Sequence, residues 1–157
     1  MFSLILSVVS ISLVSAFLLI TVNYVNPMAE LAEGMKGSLN QSLYQLELGY
    51  EDYVTVNGSE PSNIGQLAPD YVFLPPAVFT GASAAWTLSP GATSGRYVCL
   101  SGTLNKTHLW AAEKSQTLHS SQAFFINSGC GATANNIPTL TGSSTQSLAV
   151  TYWLSSY

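Results

Sequence analysis

The stretch Met1–Tyr53, MFSLILSVVSISLVSAFLLITVNYVNPMAELAEGMKGSLNQSLYQLELGYEDY, decides the fold. Its first 29 residues carry no charged side chain. Within them, Met1–Val22 is apolar except for the hydroxyl residues Ser3, Ser7, Ser10, Ser12, Ser15 and Thr21. A helix of about 20 apolar residues covers the roughly 30 Å hydrocarbon core of a bilayer. Hydroxyls in such a helix can bond its own carbonyls, so they cost little in lipid. Pro27 lacks an N–H and clashes with the carbonyl of Asn23, which predicts a break or kink between about Val22 and Pro27. Helical spacing resumes at once. Met28, Leu31, Met35, Leu39, Leu43, Leu46, Tyr50 and Tyr53 recur at steps of three or four, close to the 3.6 of an α-helix. Gly34, Gly37 and Gly49 weaken that helix by up to about 1 kcal/mol each but let another helix come close. Met1 to about Tyr53 therefore reads as one long helix, apolar all round over 1–27 and amphipathic over 28–53.

Residues 54–157 read as a β-rich head. Asn57-Gly58 is a strong turn pair. The stretch Asn57–Pro76 holds Pro61, Pro69, Pro75 and Pro76 and reads as an irregular connection with one helical turn near Ile64–Leu67. Strands are expected near Ala85–Leu88, Arg96–Ser101, His108–Ala112, Ala123–Asn127 and Ser147–Leu154, separated by turns rich in Gly, Ser and Asn. One N-terminal helix followed by a sheet is α+β. The helix's apolar stripe needs a partner, and the inner face of a mainly antiparallel sheet is the only candidate.

Only 8% of the residues are charged, and the net charge is −4, well below the usual quarter of charged residues. Four basic residues, Lys36, Arg96, Lys106 and Lys114, cannot build a nucleic-acid footprint. The apolar start is too long for a signal-peptide core and lacks its basic flank. An ordinary single-pass anchor would show Lys or Arg beside the membrane. The expectation is a chain whose basic leader has been removed. Cys99 and Cys130 are the two cysteines. In an exported domain they read as one disulfide, with two buried free thiols as the alternative.

Together these features resemble the type IV pilins and the related pseudopilins. The resemblance spans the whole chain as an architecture: the apolar helix, its proline-interrupted extension, and the β domain with its late cysteine pair. Between helix and head come Tyr50-Glu51-Asp52-Tyr53, Asn57-Gly58, Pro61, Leu67-Ala68-Pro69-Asp70-Tyr71 and Pro75, similar to the loop after the long helix in many pilins. Met at the start is similar to the type IVb branch. The resemblance implies leader cleavage, methylation of the new amine, and assembly of the helices into a filament core by a cytoplasmic ATPase. It puts the assembly contacts at Met1, Phe2, Ser3, Ile5, Ser7 and Pro27. One departure is Ile5, where the family usually has a Glu that pairs with a neighbour's N-terminal amine. Here only the hydroxyls of Ser3 and Ser7 lie near that amine.

Other chemistry is weakly signalled. His108 and His119 have no Cys, Asp or Glu at ligand spacing, so they read as ordinary core or surface histidines rather than a metal site. There is no G-x-S-x-G. Glu51, Asp52 and Asp70 lack calcium-loop spacing. Gly129-Cys130-Gly131 lacks the Lys-Ser/Thr of a phosphate loop and reads as a tight turn. Three sequons, at Asn40, Asn57 and Asn105, are near the number chance supplies. No catalytic residue, metal or cofactor is called for, and an enzyme is not expected. The expected role is a structural subunit of a type IV pilus-like filament, held in the inner membrane before assembly and at the cell surface afterwards. Its partners would be copies of itself and the pilus assembly machinery. The alternatives are a minor pilin or pseudopilin at a filament tip, and a membrane-anchored extracellular binding domain that does not polymerise.

Overall fold

The computed structural model describes residues 2–24, 27–74, 79, 84–92, 95–141 and 144–155, with the side chains of residues 5–17 in the first helix. The chain divides into two compact units, Met1–Glu30 and Leu31–Tyr157. The first unit carries helix α1 (Phe2–Tyr24). Helix α2 (Pro27–Asn57) begins at the end of that unit and runs through the second. Pro27 is the first described residue of α2. The expected break, between about Val22 and Pro27, takes in residues 25 and 26, which lie outside the described residues.

In the second unit, α2 lies on a four-stranded antiparallel sheet, so the fold is α+β as expected. The strands are β1 (Ala84–Pro90), β2 (Arg96–Asn105), β3 (Phe124–Asn127) and β4 (Thr145–Trp153), in spatial order β1-β2-β4-β3. Val98 pairs with Tyr152 and Leu100 with Val150, which sets the register of the two central strands. Met35, Leu39, Leu43, Leu46 and Tyr50 of α2 enter one core with Val98, Leu100, Leu104, Phe124, Ile126, Leu148 and Val150 of the sheet. Leu31 was expected on that stripe but is exposed, and Ala32 is buried in its place. At 100° per residue Ala32 lies within about 20° of Leu39 around the axis, and Leu31 about 80° away. Helix α2 also runs past Tyr53 to Asn57, because half-buried Tyr53 and Val54 still pack on the core. It stops at Gly58, whose φ of +65° suits glycine and no bulkier residue.

One expected strand is a helix. His108–Ala112 lies in α3 (Lys106–Gln116). Asn105 caps it: its side chain accepts from the N–H groups of Thr107 and His108 at 3.0 and 3.2 Å. In return the Asn105 N–H donates to His108 Nδ1 at 3.2 Å, a capping box with His in the place of Glu or Gln. His108, Leu109, Ala111, Ala112 and Ser115 are buried, the one-sided spacing of a helix against a core. The helical turn near Ile64–Leu67 is a 3-10 helix, Ile64–Gln66.

The other face of the sheet is also buried. Cys99, Phe125, Ala149, Thr151 and Trp153 lie outside the α2 core yet are nearly inaccessible. Part of their cover is the loop after β3. The Trp153 indole N–H donates to the Ala132 carbonyl at 2.9 Å, and the Gly131 N–H to Thr151 Oγ1 at 3.1 Å. A disulfide joins Cys99 to Cys130, with Cα atoms 5.8 Å apart. The same loop closes the free edge of β3. Ile126 N–H donates to Asn135 Oδ1 at 2.8 Å, and the Ile126 carbonyl accepts from Asn136 N–H at 2.9 Å, so this apolar edge offers no template for another strand.

Candidate assembly surface

Among the described residues no group of three or more His, Cys, Asp or Glu could hold a metal ion, and the unusual surfaces belong to the two long helices. In α1 the side chains of Ile5, Leu6, Val8, Val9, Ile11, Leu13, Val14 and Phe17 are each 53–66% exposed. Successive residues point 100° apart, so these eight cover every face of the helix. Ser10 and Ser12 turn their hydroxyls onto the Leu6 and Val8 carbonyls, at 2.9 and 2.8 Å, and leave the surface apolar. Among the described residues no helix is long and apolar enough to cross a membrane. The described α1 side chains, residues 5–17, span about 20 Å of axis.

The expected assembly residues fall as follows. Met1 lies outside the described residues. Phe2 and Ser3 are in α1, with side chains outside the described set. Ile5 and Ser7 are exposed on α1, and Pro27 is exposed at the start of α2. Ile5 is 63% exposed.

Helix α2 has a second face, away from the sheet. Gly34, Gly37, Ser38, Gln41, Gln45 and Leu48 are exposed along it. Over about 21 Å this stripe carries no charge. A Cβ added at Gly34 or Gly37 would meet no atom within 4 Å, so the backbone there is open to close approach. At its C-terminal end the stripe borders a cleft of about 330 Å³, walled by Gln45, Leu48, Asp52, Tyr71, Val72 and Phe73. Phe73 is 84% exposed. Gly49 makes the floor possible: a Cβ there would lie 2.9 Å from Val72 Cβ and 3.2 Å from the Tyr71 carbonyl oxygen.

The seam between α2 and the head is polar at three points. Near its start Glu33 pairs with Lys36 at 2.8 Å and with Lys114 of α3. These hydrogen bonds, Lys114's first, push its carboxyl pKa down to about 2. Next, the Asn40 carbonyl oxygen accepts from the hydroxyl of buried Ser115 and from His119 Nε2–H at 2.9 Å. His119 stacks on Phe124 at 5.1 Å and meets Tyr152 edge-on at 5.2 Å. Burial lowers its pKa. Farther along, the Tyr152 hydroxyl donates to Glu47 at 3.3 Å. Burial first, then the Glu47 charge, push that phenol up to about 12. These contacts fix α2 against the head; His108 is buried and His119 half-buried.

All three sequon asparagines are engaged. Asn40 is in the seam just described, and Asn105 caps α3. The Asn57 amide donates to the Tyr53 carbonyl at 2.9 Å and to the Tyr71 hydroxyl at 2.8 Å. The long helix, the four-stranded antiparallel sheet and the disulfide make a pilin-like architecture. No family model, curated protein or solved structure matches the chain.

Proposed function

We propose that the chain is the structural subunit of an extracellular type IV pilus-like filament, with its N-terminal helix in a shared core and its β head outside. The observation that carries this reading is the apolar surface of α1: eight large side chains, exposed on every face, with no charge among them. At about 25 cal/mol per Å² of apolar surface, leaving such a helix in water is strongly unfavourable. Lipid covers it before assembly and neighbouring copies cover it afterwards. The low charge of the chain, 8%, fits a subunit that packs against its own kind. The disulfide and the closed β3 edge suit a head that must not add strands at random.

A second reading has its own observation. The chain carries Ile5 where the pilins it resembles usually carry a Glu, which favours a minor subunit at a tip. Electron microscopy of sheared surface material, with mass spectrometry of the purified filaments, tests both. Filaments composed mainly of this chain support the first reading. A few copies per filament of another pilin support the second. Surface-exposed protein found only as a membrane-bound monomer would refute both.

A further inference from the structure

The chain has four basic residues, and the described contacts leave one without an acid. Lys36 and Lys114 share Glu33, and Arg96 Nε faces Glu60 at 3.5 Å. Lys106, exposed at the first position of α3, makes no ion pair among the described residues. At the helix N-terminus its charge also opposes the dipole, so α3 itself gives no reason for a lysine there. The cleft beside α2 has the complementary chemistry. Asp52 is exposed and, among the described residues, unpaired. Leu48 and Phe73 give the cleft apolar walls that suit the aliphatic stem of a lysine.

These two features cannot meet within one molecule. Tyr50, two residues from Asp52, donates to Glu60 at 2.8 Å, and Glu60 faces Arg96 at the start of β2. Lys106 follows Asn105 at the other end of β2, nine residues on, which is about 30 Å of strand. Complementary features at opposite ends of one head join copies head to tail. Such a heterologous contact builds an open filament unless its rotation closes a ring.

We propose that the cleft of Leu48, Asp52 and Phe73 seats Lys106 of a second copy, its ammonium on the Asp52 carboxylate and its stem between the apolar walls. The proposal rests on the filament reading and adds the contact that orders successive heads. Filaments of the full chain test it in two ways. Carbodiimide treatment should join Lys106 Nζ to the Asp52 carboxyl as an amide, with loss of water, and peptide mass spectrometry should find that link between copies. Lys106→Glu and Asp52→Lys should each lower filament yield about fivefold, the scale of one ion pair lost per contact, and the double exchange should restore it to within about twofold. Lys106→Glu adds an acid to the first turn of α3, which favours the helix, so a yield loss is not a folding loss. Near-ultraviolet circular dichroism of the monomer checks this directly. Wild-type filaments without the Lys106–Asp52 link, or single variants that assemble at wild-type yield, would overturn the proposal and leave the filament reading standing. A wild-type chain that forms no filament would overturn both.

Discussion

Three glycines on one helix should respond to the same substitution with opposite signs. Gly34, Gly37 and Gly49 all lie in α2, and an alanine at a helical glycine gains about 1 kcal/mol of backbone propensity. At Gly34 and Gly37 the added Cβ meets nothing within 4 Å, so the gain is kept. At Gly49 it would sit 2.9 Å from Val72 Cβ and 3.2 Å from the Tyr71 carbonyl oxygen. One of these is a backbone atom, so relief requires moving the segment that follows the 3-10 turn, not rotating a side chain. Overpacking of this kind costs about 1–3 kcal/mol, so the net for Gly49→Ala is a loss of up to about 2 kcal/mol. For a unit of this size 1 kcal/mol is about 4 °C in Tm. Thermal unfolding of the full chain in mild detergent, followed by near-ultraviolet circular dichroism, should show Gly34→Ala and Gly37→Ala raised by about 4 °C each. Gly49→Ala should be lowered, by up to about 8 °C. A Gly49→Ala protein as stabilised as the other two would refute the close approach of α2 to residues 71 and 72.

Replacing both Cys99 and Cys130 by Ala should cost about 3–4 kcal/mol, the chain-entropy value for a sequence separation of 31; denaturant titration reads this, and non-reducing mass spectrometry of the native protein should show two hydrogens fewer than the dithiol. Asn105→Ala removes the cap of α3 and should cost about 1 kcal/mol, measured as a lower denaturant midpoint at unchanged slope. The folded head holds His119 neutral below its ordinary pKa of 6.5, whereas the unfolded chain takes up a proton there. Stability should therefore fall as pH drops from 6.5 through the lower folded value. His119→Phe should abolish that slope, and denaturant midpoints at a series of pH values check it.

The parts legible in the sequence are those where one residue type allows one geometry. The α2 stripe was readable because Met35, Leu39, Leu43, Leu46 and Tyr50 face a single sheet surface, so their spacing carries the helix period. The disulfide was readable because the chain has only two cysteines. The end of α2 was misplaced because β-branched Val54-Thr55-Val56 imitates a strand locally, while tertiary packing of Tyr53 and Val54 prolongs the helix. Helix α3 was missed for a related reason. His108-Leu109-Trp110-Ala111-Ala112 is short and apolar, and such a run fits a strand or a helix. The deciding signal was Asn105 with a side-chain acceptor three residues on, a box hidden because His plays the part usually taken by Glu.

Apart from the disulfide that ties it down, the cover on the back of the sheet was not legible, and its physical origin explains why. Residues 128–136 are small and polar, with no periodicity, and their role depends on long-range partners: Thr151, Trp153 and Ile126. The candidate assembly surface divides along the same line. The apolar surface of α1 is a property of consecutive residues, so composition alone reveals it. The Asp52 cleft needs Tyr71 and Phe73 folded back across Gly49, and that Lys106 has no ion pair among the described residues emerges only after Glu33 and Glu60 have taken the other three cations. In a chain with so few charges, that pairing is what sets Lys106 apart from Lys36, Lys114 and Arg96. If the filament reading holds, the helices supply the cohesion and this single charge pair supplies the register. Raising the salt concentration should then disorder the heads before it releases the core, because an exposed ion pair is screened within about 10 Å at 0.1 M while burial of the apolar α1 surface is not weakened by salt.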